Sequence, residues 1–240
     1  MKKITLLFMS FALTFSFAQE LSSFYATVKP YETYVVKSAV SGKVIYVNKN
    51  IEGKTASKNM IVHIDDSVNK IELEQLQKKY QSTQEVLEIE KLNYERLLKI
   101  RSKSQLDKDN QKIKVLNLES SLADLESNIA KLKDTIKNKN LVEDNRYIYE
   151  INIKKDDYVN PGTLLYTAND LSKGKLEIFV PITDVDTLEN KTIYLDGKKT
   201  NYKVNKIFRV ADSKHISSYK CEIIIDKPKV FSKLTKIEFK

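Results

Sequence analysis

Between Gly53 and Pro161 the chain runs for 107 residues with neither glycine nor proline. Those two residue types interrupt regular structure most strongly, so such a stretch permits long helices. Within it, residues 67–138 are rich in Leu, Lys, Glu and Gln, all good helix formers. Apolar side chains recur there in alternating steps of three and four. Val115, Leu118, Leu122, Leu125, Ile129, Leu132 and Ile136 form one series. Leu73, Leu76, Tyr80, Thr83, Leu87, Glu90, Tyr94 and Leu97 form another, with Thr83 and Glu90 as its polar exceptions. This alternation puts every member on one seam of a helix, the mark of a coiled coil.

The two series fall out of phase across Arg101-Ser102-Lys103-Ser104, which contributes nothing to either seam. The phase break predicts two helices, the second beginning at Gln105 with Ser104 as its N-cap. Each arm then holds about 33 residues, or roughly 50 Å at the helical rise. Folding back lets each arm bury the other's seam. The expectation is an antiparallel helical hairpin over residues 67–138 with its tip near 101–104.

On either side the composition changes. Residues 31–66 and 139–180 are rich in Val, Ile, Tyr and Thr, with alternating runs such as Tyr147-Ile148-Tyr149-Glu150-Ile151, which are strand signals. The flanks also resemble each other. Gly53, Ala56, Asn59, Ile61 and Val62 match Asp156, Val159, Gly162, Leu164 and Leu165 at a constant offset of 103 residues. Residues 181–240 read as a third unit of short strands, a small antiparallel barrel, with Asp196-Gly197 as a turn. Residues 19–30 are an N-terminal strand region.

The first 18 residues have a different character. Lys2 and Lys3 precede the uncharged run Ile4–Phe17, which ends in Ser16-Phe17-Ala18. A basic start, a short apolar run and a small-x-Ala ending read as a cleavable secretory signal. The run is short for a bilayer span, which takes about 20 apolar residues; an uncleaved anchor is the alternative. The chain carries 41 basic and 32 acidic residues, a net +9. Export weakens any nucleic-acid reading of that charge, and none is expected as a partner.

A half-motif, a long hairpin, the matching half-motif and a small β domain is a layout that resembles the periplasmic adaptor proteins. This is the membrane fusion or HlyD-like family. The segment Ala39–Asp66 is similar to that family's first lipoyl half, with Gly42 and Gly53 at its turns. The segment Tyr149–Val185 resembles the returning half and the start of the barrel. The implied fold is α+β: a lipoyl-like β module split by an antiparallel coiled-coil hairpin, then a small antiparallel β-barrel. The implied role is the adaptor of a tripartite efflux system. It would join an inner-membrane transporter of the resistance-nodulation-division (RND) type, or an ABC exporter, to a TolC-like outer-membrane channel. Such adaptors commonly form rings, often of six copies, in the periplasm. Two departures stand out: the hairpin occupies the place of a lipoylated lysine tip, so no cofactor is implied, and little chain follows the barrel. A coiled-coil envelope scaffold with no role in transport is the competing reading.

The family's docking motif at the hairpin tip is an Arg, a Leu four residues on and a Ser seven further. Leu97 and Ser104 match that spacing, while Asn93 stands at the Arg position; Arg96 and Arg101 lie near enough to replace its charge. Leu97 reads equally as a seam residue and Ser104 as a helix cap. Residues 96–114 hold seven basic and two acidic side chains, against fourteen and twelve for the whole of 67–138. Positive charge is therefore concentrated at one end, which steers a rod toward an acidic partner.

Little else suggests chemistry. His63 is adjacent to Asp65 and Asp66, better read as anions at a helix start than as a catalytic group. His215 lies in a polar loop and reads as exposed, and Cys221, the single cysteine, reads as a small hydrophobe inside the barrel. One cysteine and two histidines leave little for a zinc site. Met60 is the only methionine after the signal segment, which disfavours a methionine relay for soft metals. The chain is not expected to be an enzyme.

Overall fold

The computed structural model describes residues 23–240; the signal-like segment at residues 1–18 lies outside them. The described residues pack as two units, one of residues 32–171 and one of residues 23–31 together with 172–240. Each has its own apolar core.

The first unit contains two long helices, α1 (Ser67–Lys99) and α2 (Gln105–Lys139). They lie side by side in opposite directions. Lys139 Nζ, at the end of α2, donates to Asn69 Oδ1 near the start of α1 at 2.6 Å. Toward the other ends, Lys91 pairs with Glu119 at 2.6 Å, and Gln111 Nε2 donates to the Glu90 carbonyl at 3.1 Å. Every residue in the two spacing series is buried or half-buried, Thr83 and Glu90 included. The α2 series also continues toward the tip through Gln111, which is buried, and Lys108, which is half-buried. Gln111 meets Glu90 there, so the polar interruptions of the two helices satisfy one another.

The β part of this unit is built from two halves that complete each other. Strands Asn140–Glu143, Asn59–Ile64, Gly42–Val47 and Tyr158–Val159 form one antiparallel sheet in that order, and Tyr147–Ile151 pairs with Tyr166–Asn169. The turn of each half bonds to the strand of the other. Gly53 N donates to the Ile148 carbonyl and Ile148 N to the Lys54 carbonyl, at 2.8 and 2.9 Å. The counterpart is Asp156 N to the Val44 carbonyl and Val44 N to the Asp157 carbonyl, both 2.8 Å. The two turns share an unusual backbone: φ is +78° at Gly53 and +75° at Asp156. Glycine adopts that region freely and aspartate is among the few side chains that tolerate it, so the 103-residue correspondence joins residues of matching conformation. Val44, Ile61, Val62, Ile64, Ile148 and Leu165 are fully buried in the shared core.

The second unit is made of antiparallel sheets. In one, Phe24–Thr27 pairs with Leu234–Phe239, which pairs with Ile193–Leu195 and then Lys198–Lys199. In the other, Ser218–Asp226 pairs with Lys173–Pro181 on one side and Val204–Phe208 on the other. The ladders run as open paths. Asp196 and Gly197, with φ of +49° and +77°, make the two-residue turn expected between strands. The long strand Leu164–Pro181 carries the chain from one unit into the next.

Candidate partner-binding end of the helical pair

Helix α1 stops where Ile100 turns extended, its N–H bonding to the Leu97 carbonyl. Four residues later Ser104 opens α2: its Oγ accepts from Asp107 N at 3.1 Å, a normal N-cap. The dipoles are complemented at both ends, with Arg96 and Lys99 in the last turn of α1 and Asp107 in the first turn of α2.

Arg96, Arg101 and Ser104 are exposed here, so all three are available to a partner. Leu97 is different: it is half-buried in the seam, and Asn93 beside it is half-buried too. The exposed apolar side chains at this end are Leu98, Ile100 and Leu106, none of which falls on the Arg-Leu-Ser spacing. Their signal was available, since Leu98 and Leu106 are leucines standing off the seam spacing. The tip thus combines Arg96, Lys99, Arg101 and Lys103 with three exposed aliphatic groups.

At the opposite end the helices are tied to the strands by a polar cluster. Asp66 is 3% exposed. Its carboxylate accepts from Asn140 Nδ2 at 2.7 Å and Lys70 Nζ at 3.0 Å, and lies 3.1 Å from His63 Nε2. Asp65 receives Ser67 N and Oγ, while Lys139 Nζ donates to the Asp65 carbonyl at 2.7 Å. His63 therefore meets Asp66 rather than Asp65, and its role is to secure the helix start. Burial alone pushes the Asp66 carboxyl up. The hydrogen bonds from Asn140, Lys70 and His63 outweigh it and leave the pKa lowered from 3.8 to about 2.

A depressed carboxyl stabilises the fold above its ordinary pKa and stops doing so once protonated. Asp66 should contribute about 2 kcal/mol at neutral pH, lost as pH falls from about 4 to 2. Asp66→Asn should lower stability by that amount at pH 7 and flatten the acid limb of the pH profile in urea titrations. An unchanged acid limb would show that Asp66 is not the titrating group.

His215 is half-buried, a correction to the exposed reading. Its ring stacks on Phe179 with centroids 3.5 Å apart, and Nδ1 lies 3.0 Å from Asp212 Oδ1. Cys221 is fully buried in the second core, and burial raises its pKa to about 11, so at neutral pH it is a thiol without nucleophilic character. No cluster of three or more metal-ligating side chains occurs among the described residues. Nor is any described helix long and apolar enough to cross a membrane.

No family model and no curated protein matches the chain. Solved structures do. The membrane fusion protein Spr0693 from Streptococcus pneumoniae superposes with a TM-score of 0.68 at 11% identity, over 91% of this chain and 98% of that one. A MacA–MexA chimera carrying the Pseudomonas aeruginosa MexA α-hairpin gives 0.64 at 15% identity, over 92% and 82%. A protein described as an efflux transporter from Bacteroides eggerthii gives 0.61 at 16% identity, over 91% and 68%. The chain thus shares its fold with these proteins, a membrane fusion protein and the MacA–MexA chimera among them.

Proposed function

We propose that this chain is the periplasmic adaptor of a tripartite efflux system. It joins an inner-membrane transporter, of the RND type in our reading, to a TolC-like outer-membrane channel. One observation carries this: two paired helices of 33 and 35 residues rise from a β module and end in exposed basic and apolar side chains. In this reading the β module is lipoyl-like, the helices are a coiled-coil hairpin, and the residues from 172 on form a barrel-like domain. A buried seam stiffens the arms, and helical rise gives them a reach of roughly 50 Å. Copies arranged in a ring would make a sealed conduit, with no bond-making chemistry and no cofactor. Secretion by the segment at residues 1–18 would deliver it to the periplasm. An ABC exporter is the alternative partner.

The tip tests the reading. Charge reversal at Arg96 and Arg101 leaves the seam intact, so helicity should be retained while export falls at least roughly tenfold. Ser104→Asp keeps an N-cap oxygen and adds negative charge; it should fold normally and export poorly. A photocrosslinker at residue 101 should trap an outer-membrane channel, and the protein co-purifying with the β part should be the transporter. Unimpaired export by a strain lacking this chain, or crosslinks only within filaments of it, would favour an envelope scaffold.

A further inference from the structure

In the second unit, residues 209–217 form a loop between the strands Val204–Phe208 and Ser218–Asp226. The loop is braced from within. Asp212 Oδ1 accepts from Lys214 N and His215 N at 2.9 and 2.7 Å, and lies 3.0 Å from His215 Nδ1. This bracing seats the polar His215 ring on Phe179 and leaves the next residue, Ile216, outside. Ile216 is 79% and Val210 85% exposed, the highest values for large apolar side chains among the described residues. Water favours the opposite arrangement, with the aliphatic group packed inward and the imidazole in solvent.

Two further exposed apolar groups stand at the same end of this sheet. Phe208 closes the strand before the loop, with Lys220 Nζ 4.0 Å from its ring centroid. Ile182 N donates to the Ser217 carbonyl at 3.1 Å, which sets Ile182 beside the returning side of the loop. Between residues 208 and 217 only Ala211 and His215 are half-buried, and all the others are exposed. The loop is therefore a projection and not the wall of a cleft.

The protein's charge is placed to match. Residues 23–31 and 172–240 carry sixteen basic and nine acidic side chains, whereas residues 32–171 carry twenty-three and twenty-two. Nearly all the net positive charge of the described residues thus belongs to the unit that holds the loop. Close to the loop, Arg209 pairs with Asp186 at 3.4 Å, and Asp212 is engaged by the loop's own N–H groups. Lys206 and Lys214 are exposed and form no ion pair among the described residues.

We propose that this loop is a membrane-contact site for anionic lipid. Val210 and Ile216, with Phe208 and Ile182 beside them, enter the boundary between headgroups and acyl chains, while Lys206 and Lys214 lie against lipid phosphates. Aliphatic groups on a projecting loop are buried by a bilayer without any matching pocket, which a protein partner would have to supply. The excess of lysine and arginine in this unit favours anionic over neutral lipid. Because the loop is already braced, little ordering is needed on contact. The proposal goes beyond the adaptor reading and requires neither transporter nor channel.

The test uses the full exported chain, purified, with vesicles of phosphatidylcholine alone or mixed with phosphatidylglycerol. The protein should sediment with the mixed vesicles and roughly tenfold less with the neutral ones, and added salt should release it. Val210→Asp with Ile216→Asp should weaken sedimentation at least roughly tenfold while circular dichroism is unchanged. Lys206→Glu with Lys214→Glu should abolish the preference for phosphatidylglycerol. Depth is read by a polarity-sensitive dye on Ile216→Cys, since Cys221 is buried and does not compete for label. The dye should shift to the blue on mixed vesicles. On Val230→Cys, in the exposed loop at the other end of strand Ser218–Asp226, it should not. Absent sedimentation, an aspartate double variant that binds as well, or equal shifts at residues 216 and 230 would each overturn the site. So would a dye at residue 216 that shifts only when a transporter is present in the vesicles, which would make the loop a protein contact.

Discussion

Replacing Leu125 with alanine is expected to cost about 2–5 kcal/mol, the range for deleting a large buried aliphatic side chain, and to loosen the two helices from each other. Leu125 is 5% exposed, in the middle of the seam, with Leu132 one heptad on and also buried. Isolated helices draw little stability from propensity alone, so pairing supplies most of what keeps α1 and α2 formed. A Leu125→Ala, Leu132→Ala double variant should lose a large share of its helical circular dichroism at 222 nm. Protease sites should open between residues 67 and 139, while the strand units, each with its own core, persist. Ile113→Ala and Leu116→Ala, which remove exposed side chains of the same helix, should leave helicity within error. Equal loss in both sets would mean that the spacing series does not mark the packed stripe.

The helical pair was legible because helix geometry turns a sequence interval into a direction. Steps of three and four force side chains onto one stripe, and a stripe of leucines leaves water only against another such stripe. The same rule made Gln111 and Lys108 easy to miss. They continue the stripe in steps of three and four, but their polarity hides them from a search for apolar residues. Gln111 is tolerated because Glu90, the polar exception on the other helix, supplies its acceptor. The paired halves were legible for a different reason. A turn of given shape admits few residues, so Gly53 and Asp156 report one conformation in two chemistries.

What escaped the sequence depends on distant pairing. Phe24–Thr27 bonds to Leu234–Phe239, more than two hundred residues away, and neither segment carries a local sign of the other. The long strand Leu164–Pro181 likewise belongs to both units, and an alternating pattern does not record that its partner changes along its length. At the tip, the Arg-Leu-Ser motif consists of three residue types at fixed intervals. Leu98, Ile100 and Leu106 stand outside that spacing and are distinguished by their exposure alone.

The second large effect is expected at a charge that no motif announced. Glu143 is 7% exposed. Its carboxylate accepts from the Tyr166 hydroxyl at 2.9 Å and from Arg146 Nη1 at 3.1 and 3.3 Å. Arg146 in turn lies over the Tyr34 ring, its Cζ 3.8 Å from the centroid. Tyr166 is 1% exposed; burial first, and then the neighbouring Glu143 charge, push its pKa well above the usual phenol range, so it stays a donor at any ordinary pH. Taking a carboxylate out of water is costly unless its oxygens are paired, and among the described residues these two side chains pair them. Arg146→Ala should therefore cost roughly 3 kcal/mol, the lower end for breaking a buried pair because Arg146 itself is partly solvated. Tyr166→Phe should cost about 1–3 kcal/mol, since it removes one donor and leaves the acceptor behind. The decisive comparison is the order of effects: Glu143→Gln together with Arg146→Met should be more stable than Arg146→Ala alone, because it removes the stranded charge as well as its partner. Urea unfolding followed by tyrosine fluorescence reads all three. A double variant weaker than Arg146→Ala would mean that Arg146 acts through its packing on Tyr34 and not through the carboxylate.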